Sequence, residues 1–167
     1  PIDKNAENCI VVASGANATL VSAGLSPDKD AKKQAGIIFM QLEIPVETVS
    51  YVAGVAAAGG GKVILNPAPA CALPDELFKH IAIITPNKKE AEMLSGVSIT
   101  GLESVKAAAA VIRAKGVDTV IITLGVDGAF ISNNNIEQLM PAPKANAVDT
   151  TAAGDVFNGA LAVALSE

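Results

Sequence analysis

Aromatic side chains are scarce in this chain: one Tyr, four Phe and no Trp among 167 residues. Half of the residues are nonetheless hydrophobic, so Ala, Val, Ile, Leu and Gly must fill the interior. Small and β-branched side chains of this kind suit a parallel sheet under close-packed helices. Histidine occurs once, at His80, which excludes any multi-His metal set or His-based catalytic pair within the chain. The residue just precedes an apolar run and reads as a surface or helix-end position. The two cysteines, Cys9 and Cys71, lack C-x-x-C spacing. They form no zinc pattern and no disulfide framework, and read as small buried hydrophobes in a reducing compartment.

Positive charge is also in short supply. Twelve Lys and Arg stand against seventeen Asp and Glu, a net charge of −5, and no basic stripe forms. Nucleic acid is therefore not an expected partner, because neutralising phosphates needs clustered cations. Nor is an anionic membrane surface. No apolar run is long enough to span a bilayer; the longest uncharged stretch, 8–27, is broken by Ser, Gly, Asn and Thr. Neither an initiator Met nor a signal peptide is present, and the last residues fall inside a helix-like stretch. The chain is expected to be an internal piece of a longer protein, yet long enough for one sizeable core.

What is present is a repeated alternation. The runs 37–42, 63–65, 81–85 and 119–124 are short, β-rich and bounded by turn or polar residues, and so read as buried strands. Helix signals lie around and between them. Ser26-Pro27-Asp28 is a cap followed by Pro. The stretch 45–58 is stopped by Gly59-Gly60-Gly61. Asn87-Lys88-Lys89-Glu90 opens a helix closed by Gly96, and 102–115 one closed by Gly116. Another begins near Gly154. The pattern predicts an α/β fold: a doubly wound, mostly parallel sheet with helices on both faces. Residues 128–132 and 136–140 flank Asn133-Asn134-Asn135, a hairpin that adds antiparallel strands at one side. The stretch 10–13 is expected to belong to a separate strand layer.

In such sheets ligands sit outside the carboxyl ends of the strands. Glu43, Asn66, Asn87, Thr123 and Gly125 all follow strand ends, and the run Asp149 to Asp155 precedes the last helix. In Asp149-Thr150-Thr151-Ala152-Ala153-Gly154-Asp155, small residues at a helix start let backbone N–H groups approach an anion, and the helix dipole favours negative charge there. Local physics leaves two readings of Asp155: a first-turn acid, or a base for an attacking hydroxyl. The Asn87–Glu90 spacing likewise fits a capping box or a cooperating polar pair. Gly125 and Gly128, within Thr123-Leu124-Gly125-Val126-Asp127-Gly128, mark a turn leaving a strand. Gly59-Gly60-Gly61-Lys62 lacks the spacing and the Ser/Thr of a phosphate loop, and reads as a turn.

The strings together resemble the ribokinase-like family of carbohydrate kinases, across essentially the whole chain and in the family's order. The Asp149–Asp155 run is similar to the family's second signature, D-T-x-G-A-G-D, with Ala152 in place of its first glycine. Asn87-x-x-Glu90 resembles the phosphate and magnesium motif. Thr123-Leu124-Gly125-x-x-Gly128 resembles the segment that lies over the nucleotide. Asn66-Pro67-Ala68-Pro69 and Gln41-Leu42-Glu43 are similar to strand ends of the ribose-phosphorylating members, and Gly15-Ala16-Asn17 to a structural turn.

The resemblance implies ATP-dependent phosphorylation of a sugar, D-ribose first. Related substrates would be fructose, 2-keto-3-deoxygluconate or a nucleoside, and a different reading altogether is a non-catalytic nucleotide-binding module. It implies Asp155 as base and sugar contact, and amides of Ala152, Ala153, Gly154 and Asp155 as an anion hole. It also implies Glu43 on the sugar, with Asn87, Gly154, Asp155 and residues Thr123, Leu124, Gly125, Val126, Asp127 and Gly128 about ATP. Mg²⁺ is implied near Glu90 through water, and K⁺ at Asp149 and the Thr151 backbone. Residues 1–24 would hold the end of a substrate and lid region and the first core strand, and 25–167 the truncated nucleotide-binding α/β core. The intact protein would be a cytoplasmic homodimer, and the 167-residue piece alone is expected to be inactive.

Overall fold

A computed structural model describes residues 14–25, 36–144 and 150–167 of the chain. The expected strand at 10–13, the cap at Ser26 and the acid Asp149 lie outside the described residues. Six strands form one sheet in chain order: β1 Ile37–Met40, β2 Lys62–Leu65, β3 Ile83–Ile84, β4 Thr119–Thr123, β5 Ala129–Ser132 and β6 Glu137–Met140. β1 to β4 pair in parallel, and β5 and β6 add antiparallel at the β4 edge. The helices are α1 Val46–Ala58, α2 Asp75–Phe78, α3 Lys88–Ser95, α4 Leu102–Ala114 and α5 Ala153–Ser166.

Because each parallel strand lies beside its predecessor, right-handed crossovers drop α1 to α4 on one face. Period-two alternation then sorts the side chains. Val63, Leu65, Ile84, Val120, Ile122 and Phe130 enter the main core with Val49, Ala53, Ala108, Ala109 and Ile112 from the helices. The many Ala positions let the helices sit close to the sheet. Ile64 and Ile121 are also buried but belong to the opposite face.

The sequence signals act locally as expected at several points. Gly96 closes α3 in the left-handed conformation, φ 72°. Asn133 turns the β5–β6 hairpin by accepting both the Asn135 and Ile136 N–H groups on Oδ1, each at 2.8 Å. Three details differ from expectation. The strand expected to be buried over 37–42 ends at Met40, and none of its four residues is fully buried. The strand expected over 81–85 is only Ile83–Ile84: the Ile81 N–H closes the preceding turn on Phe78, and Pro86 has no N–H to carry the ladder on. The four-residue α2 was not anticipated, although Pro74 before Asp75 and Glu76 is a helix-start pattern.

Candidate active site at the sheet mouth

The first residues past β1, β2 and β3 are Gln41, Asn66 and Thr85. Met40, Leu65 and Ile84 are in register across those strands, so the three polar side chains form a row at the carboxyl edge. By alternation the row lies on the face opposite the helical core. α5 docks there. Thr85 Oγ donates to Asn158 Oδ1 at 2.7 Å, and Asn66 Nδ2 donates to the Thr85 carbonyl at 3.0 Å. Asn158 and Thr85 are each 1% exposed. The two-faced sheet expected from the sequence is thus completed by α5.

This docking brings the start of α5 to the mouth. Ala152, its N-cap, has φ 59°, and Val156 makes the first intrahelical bond, to the Ala152 carbonyl at 3.0 Å. The amides of Gly154 and Asp155 therefore belong to the orphan donors of a helix start. The left-handed residue before the right-handed turn shapes an anion-accepting concavity. Of the expected anion-hole amides, that of Ala153 donates to the Thr150 carbonyl at 3.2 Å. Asp155, in the first turn, accepts from Gln41 Nε2 at 2.9 Å. Glu43 lies exposed in the bend after β1, and it is Gln41, two residues earlier, that reaches Asp155.

On the other side of the mouth stands α3. Asn87 and Thr123 are bridged in parallel fashion, which joins the start of α3 to the end of β4. A groove of about 710 Å³ opens between them, lined by Asn87, Lys88, Lys89, Thr123, Leu124 and Asp127, with Gly125 at its rim. A second, of about 380 Å³, runs from Thr123, Gly125 and Gly128 to Ala153 and Gly154. The 123–128 loop thus lines one groove beside the start of α3 and another beside the start of α5, and each helix start carries a positive dipole end. Gly125 has φ 61°, and a β-carbon at Gly128 would collide with the Met140 carbonyl. The two glycines make the loop possible. Val126, expected at the nucleotide, is 90% exposed and lines neither groove.

Glu90 is 6% exposed. Burial pushes its carboxyl up from the ordinary 4.5, against the Asn87 hydrogen bond, which pulls it down. Both of its oxygens accept from Asn87, Oε2 from the backbone N–H and Oε1 from Nδ2, each at 2.8 Å. Each oxygen keeps a further lone pair, and a single carboxylate suits a largely hydrated Mg²⁺. Among the described residues no group of three or more His, Cys, Asp or Glu converges. No helix of the described residues is long and apolar enough to cross a membrane.

Sequence reading passed over Asn158, Thr85 and the cationic pair at α3. Lys88 and Lys89 occupy the first turn of that helix, where the dipole disfavours positive charge. That misfit was visible in the sequence and is a usable sign of an anion site. Asn158 and Thr85 carried no local signal.

Residues 2–167 match the pfkB family carbohydrate kinases. The ribokinase of Haemophilus influenzae is 45% identical over 166 residues, 99% of this chain and 54% of that protein. The ribokinase of Staphylococcus aureus is 42% identical, over 99% of this chain and 55% of that protein. The solved structure of Arabidopsis thaliana ribokinase, complexed with ribose and ATP, superposes with a TM-score of 0.88 at 32% identity. It covers 98% of this chain and 54% of that one. The chain spans about half the length of the relatives it matches.

Proposed function

The chain belongs to the pfkB family of carbohydrate kinases, and from that premise we propose that its protein transfers the γ-phosphoryl group of ATP to the 5-hydroxyl of D-ribose. The observation that carries the reading is the position of Asp155: in the first turn of α5, among orphan amides, at a mouth shared with Asn87 and the 123–128 loop. Asp155 takes the hydroxyl proton as the sugar oxygen attacks the γ-phosphorus in line, and ADP leaves. The amides of Gly154 and Asp155 face the charge that develops. Phosphoryl transfer needs mainly positioning and electrostatic stabilisation, which two helix N-termini and the Lys88–Lys89 pair supply.

Asn87 and the residues from Thr123 to Gly128 bind the nucleotide in this reading, and Glu43 contacts the sugar. Mg²⁺, when bound through water at Glu90, neutralises phosphate charge. K⁺ is assigned by the family resemblance to Asp149 and Thr151. With Asp149 outside the described residues, it takes no part in the steps above. Residues 1–24 are assigned to the end of the substrate and lid region with the first core strand, and 25–167 to the truncated nucleotide core, in a cytoplasmic homodimer.

Ribose is preferred over other acceptors because Gln41-Leu42-Glu43 and Asn66-Pro67-Ala68-Pro69 match the ribose-phosphorylating type, and because both sequence relatives above are ribokinases. A coupled ADP-release assay on the full protein with ribose, fructose, 2-keto-3-deoxygluconate and adenosine tests this. The highest kcat/KM is expected for ribose. Preference for any of the others would overturn the substrate assignment.

A further inference from the structure

The kinase reading uses Asp155 and the amides beside it but gives no role to Asn158, Thr85 or Gln41. These side chains, with Asn66, form a closed circuit of hydrogen bonds. Gln41 Nε2 donates to Asp155 Oδ1 at 2.9 Å and, at 3.4 Å, to Asn66 Oδ1. Asn66 Nδ2 donates to the Thr85 carbonyl at 3.0 Å. Thr85 Oγ donates to Asn158 Oδ1 at 2.7 Å, and Asn158 Nδ2 donates to the Gly154 carbonyl at 2.9 Å. The circuit therefore begins at the Asp155 carboxylate and ends on the peptide group that joins Gly154 to Asp155.

That end point matters because the peptide is planar and trans, so its C=O and N–H point in opposite directions. Because α5 runs from Ala153 to Ser166, its own i→i−4 pattern turns the Gly154 oxygen toward Asn158 and the Asp155 N–H out of the helix start. The Asn158 side chain, bonded to both that oxygen and Thr85 Oγ, ties this first turn to the sheet. Gln41 meanwhile occupies Asp155 Oδ1 and leaves Oδ2 to meet a hydroxyl. We infer that Asn158 and Gln41 are positioning residues, which fix from two sides the anion-hole amide and the proton-accepting oxygen of Asp155. The inference rests on the kinase reading above.

Packing alone does not call for this arrangement. From Val156 to Leu165 the helix is otherwise Val, Phe, Ala, Leu and Gly, yet its fully buried residue is the polar Asn158. Replacing both partners of a buried hydrogen bond by apolar groups of the same shape is close to neutral for stability, whereas one member left unpaired is costly. What the circuit adds is direction. A displacement of about 1 Å at a reacting group costs on the order of 100-fold in rate, so directional restraint of Asp155 has a large effect on turnover.

The test compares Asn158→Leu, Gln41→Leu, Thr85→Val and Thr85→Ser in the full protein. It reads kcat and KM for ATP and ribose, and affinity for ATP beside that for ADP with aluminium fluoride, a mimic of the transferring phosphoryl group. Asn158→Leu is expected to lower kcat about 100-fold and Gln41→Leu about 10-fold, with both KM values within about 3-fold of the unaltered protein. Affinity for the mimic should fall with kcat while ATP affinity holds. Thr85→Ser, which keeps the hydroxyl, should retain most of the turnover that Thr85→Val loses. Gln41 makes its bond to Asp155 at an exposed position, so Gln41→Leu reports even if Asn158→Leu fails to fold. Unchanged kcat in Gln41→Leu, equal turnover of the two Thr85 variants, or parallel loss of ATP and mimic would overturn the inference alone. Absence of sugar phosphorylation by the unaltered protein would instead sink the kinase reading, and this role with it.

Discussion

Asn87 and Glu90 exchange three hydrogen bonds across the first turn of α3: two from Asn87 to the carboxylate, each at 2.8 Å, and one from the Glu90 N–H to Asn87 Oδ1 at 2.9 Å. The two readings of this pair left open by the sequence are therefore compatible. It is a capping box, and the same bonds hold the Asn87 side chain, which lines the groove, against the buried Glu90 carboxylate. Asn87→Ala is expected to cost about 1 kcal/mol of stability, the usual loss for a cap. A double-mutant cycle with Glu90→Ala should show coupling of about 1 kcal/mol or more. Additive losses in denaturant unfolding would contradict the mutual bonding.

Glu90 also makes a pH prediction. Its folded carboxyl titrates above the ordinary 4.5 because of burial, so the native state holds the proton more tightly than the unfolded chain. This component of stability is present below the unfolded value and lost as pH rises through the folded one. Urea unfolding of the metal-free protein between about pH 4 and 7 should show that loss. Glu90→Gln should lack it, so that wild type weakens relative to the variant as pH rises. An opposite slope would contradict the assignment.

Ala152 is the only non-glycine at positive φ among the described residues, and it stands where the family pattern has its first glycine. A β-carbon in the left-handed region costs roughly 1–2 kcal/mol, partly offset by the extra chain entropy of glycine, roughly 0.5–1 kcal/mol. Ala152→Gly should therefore raise the thermal midpoint slightly. Ala152→Val should lower both stability and turnover. A Gly variant less stable than wild type would mean that the turn is not strained.

Gly128 tests the loop between the two grooves. A β-carbon there collides with the Met140 carbonyl and crowds the Pro141–Ala142 backbone, so Gly128→Ala must displace the end of β6. An overpacking loss of about 2–3 kcal/mol is expected in denaturant unfolding, together with weaker ATP binding. A neutral substitution would show that this edge is freely deformable.

Much of this was legible from local pattern. The buried strands are short β-rich runs, Gly96 marks a helix end, and the Asn133 turn marks the hairpin, because each signal acts within a few residues of itself. Strand ends then pointed to Asn66, Asn87 and Thr123 at one mouth. What could not be read is the layer beneath Asp155. Thr85 and Asn158 are 73 residues apart, and neither is unusual in its own surroundings. Their partnership exists only once α5 lies across the register of β1, β2 and β3. The Gln41–Asp155 bond shows the same limit: it spans 114 residues, and nothing in the neighbourhood of either residue announces it.

The most direct test of the account is phosphoryl transfer from ATP to D-ribose by the full protein and its Asp155→Asn variant, with ATP affinity measured in parallel. A general base contributes about 10²–10⁴-fold, so turnover should fall by that factor while ATP affinity stays within about 3-fold. Near-normal turnover in Asp155→Asn would contradict the central claim that Asp155 is the base of this site.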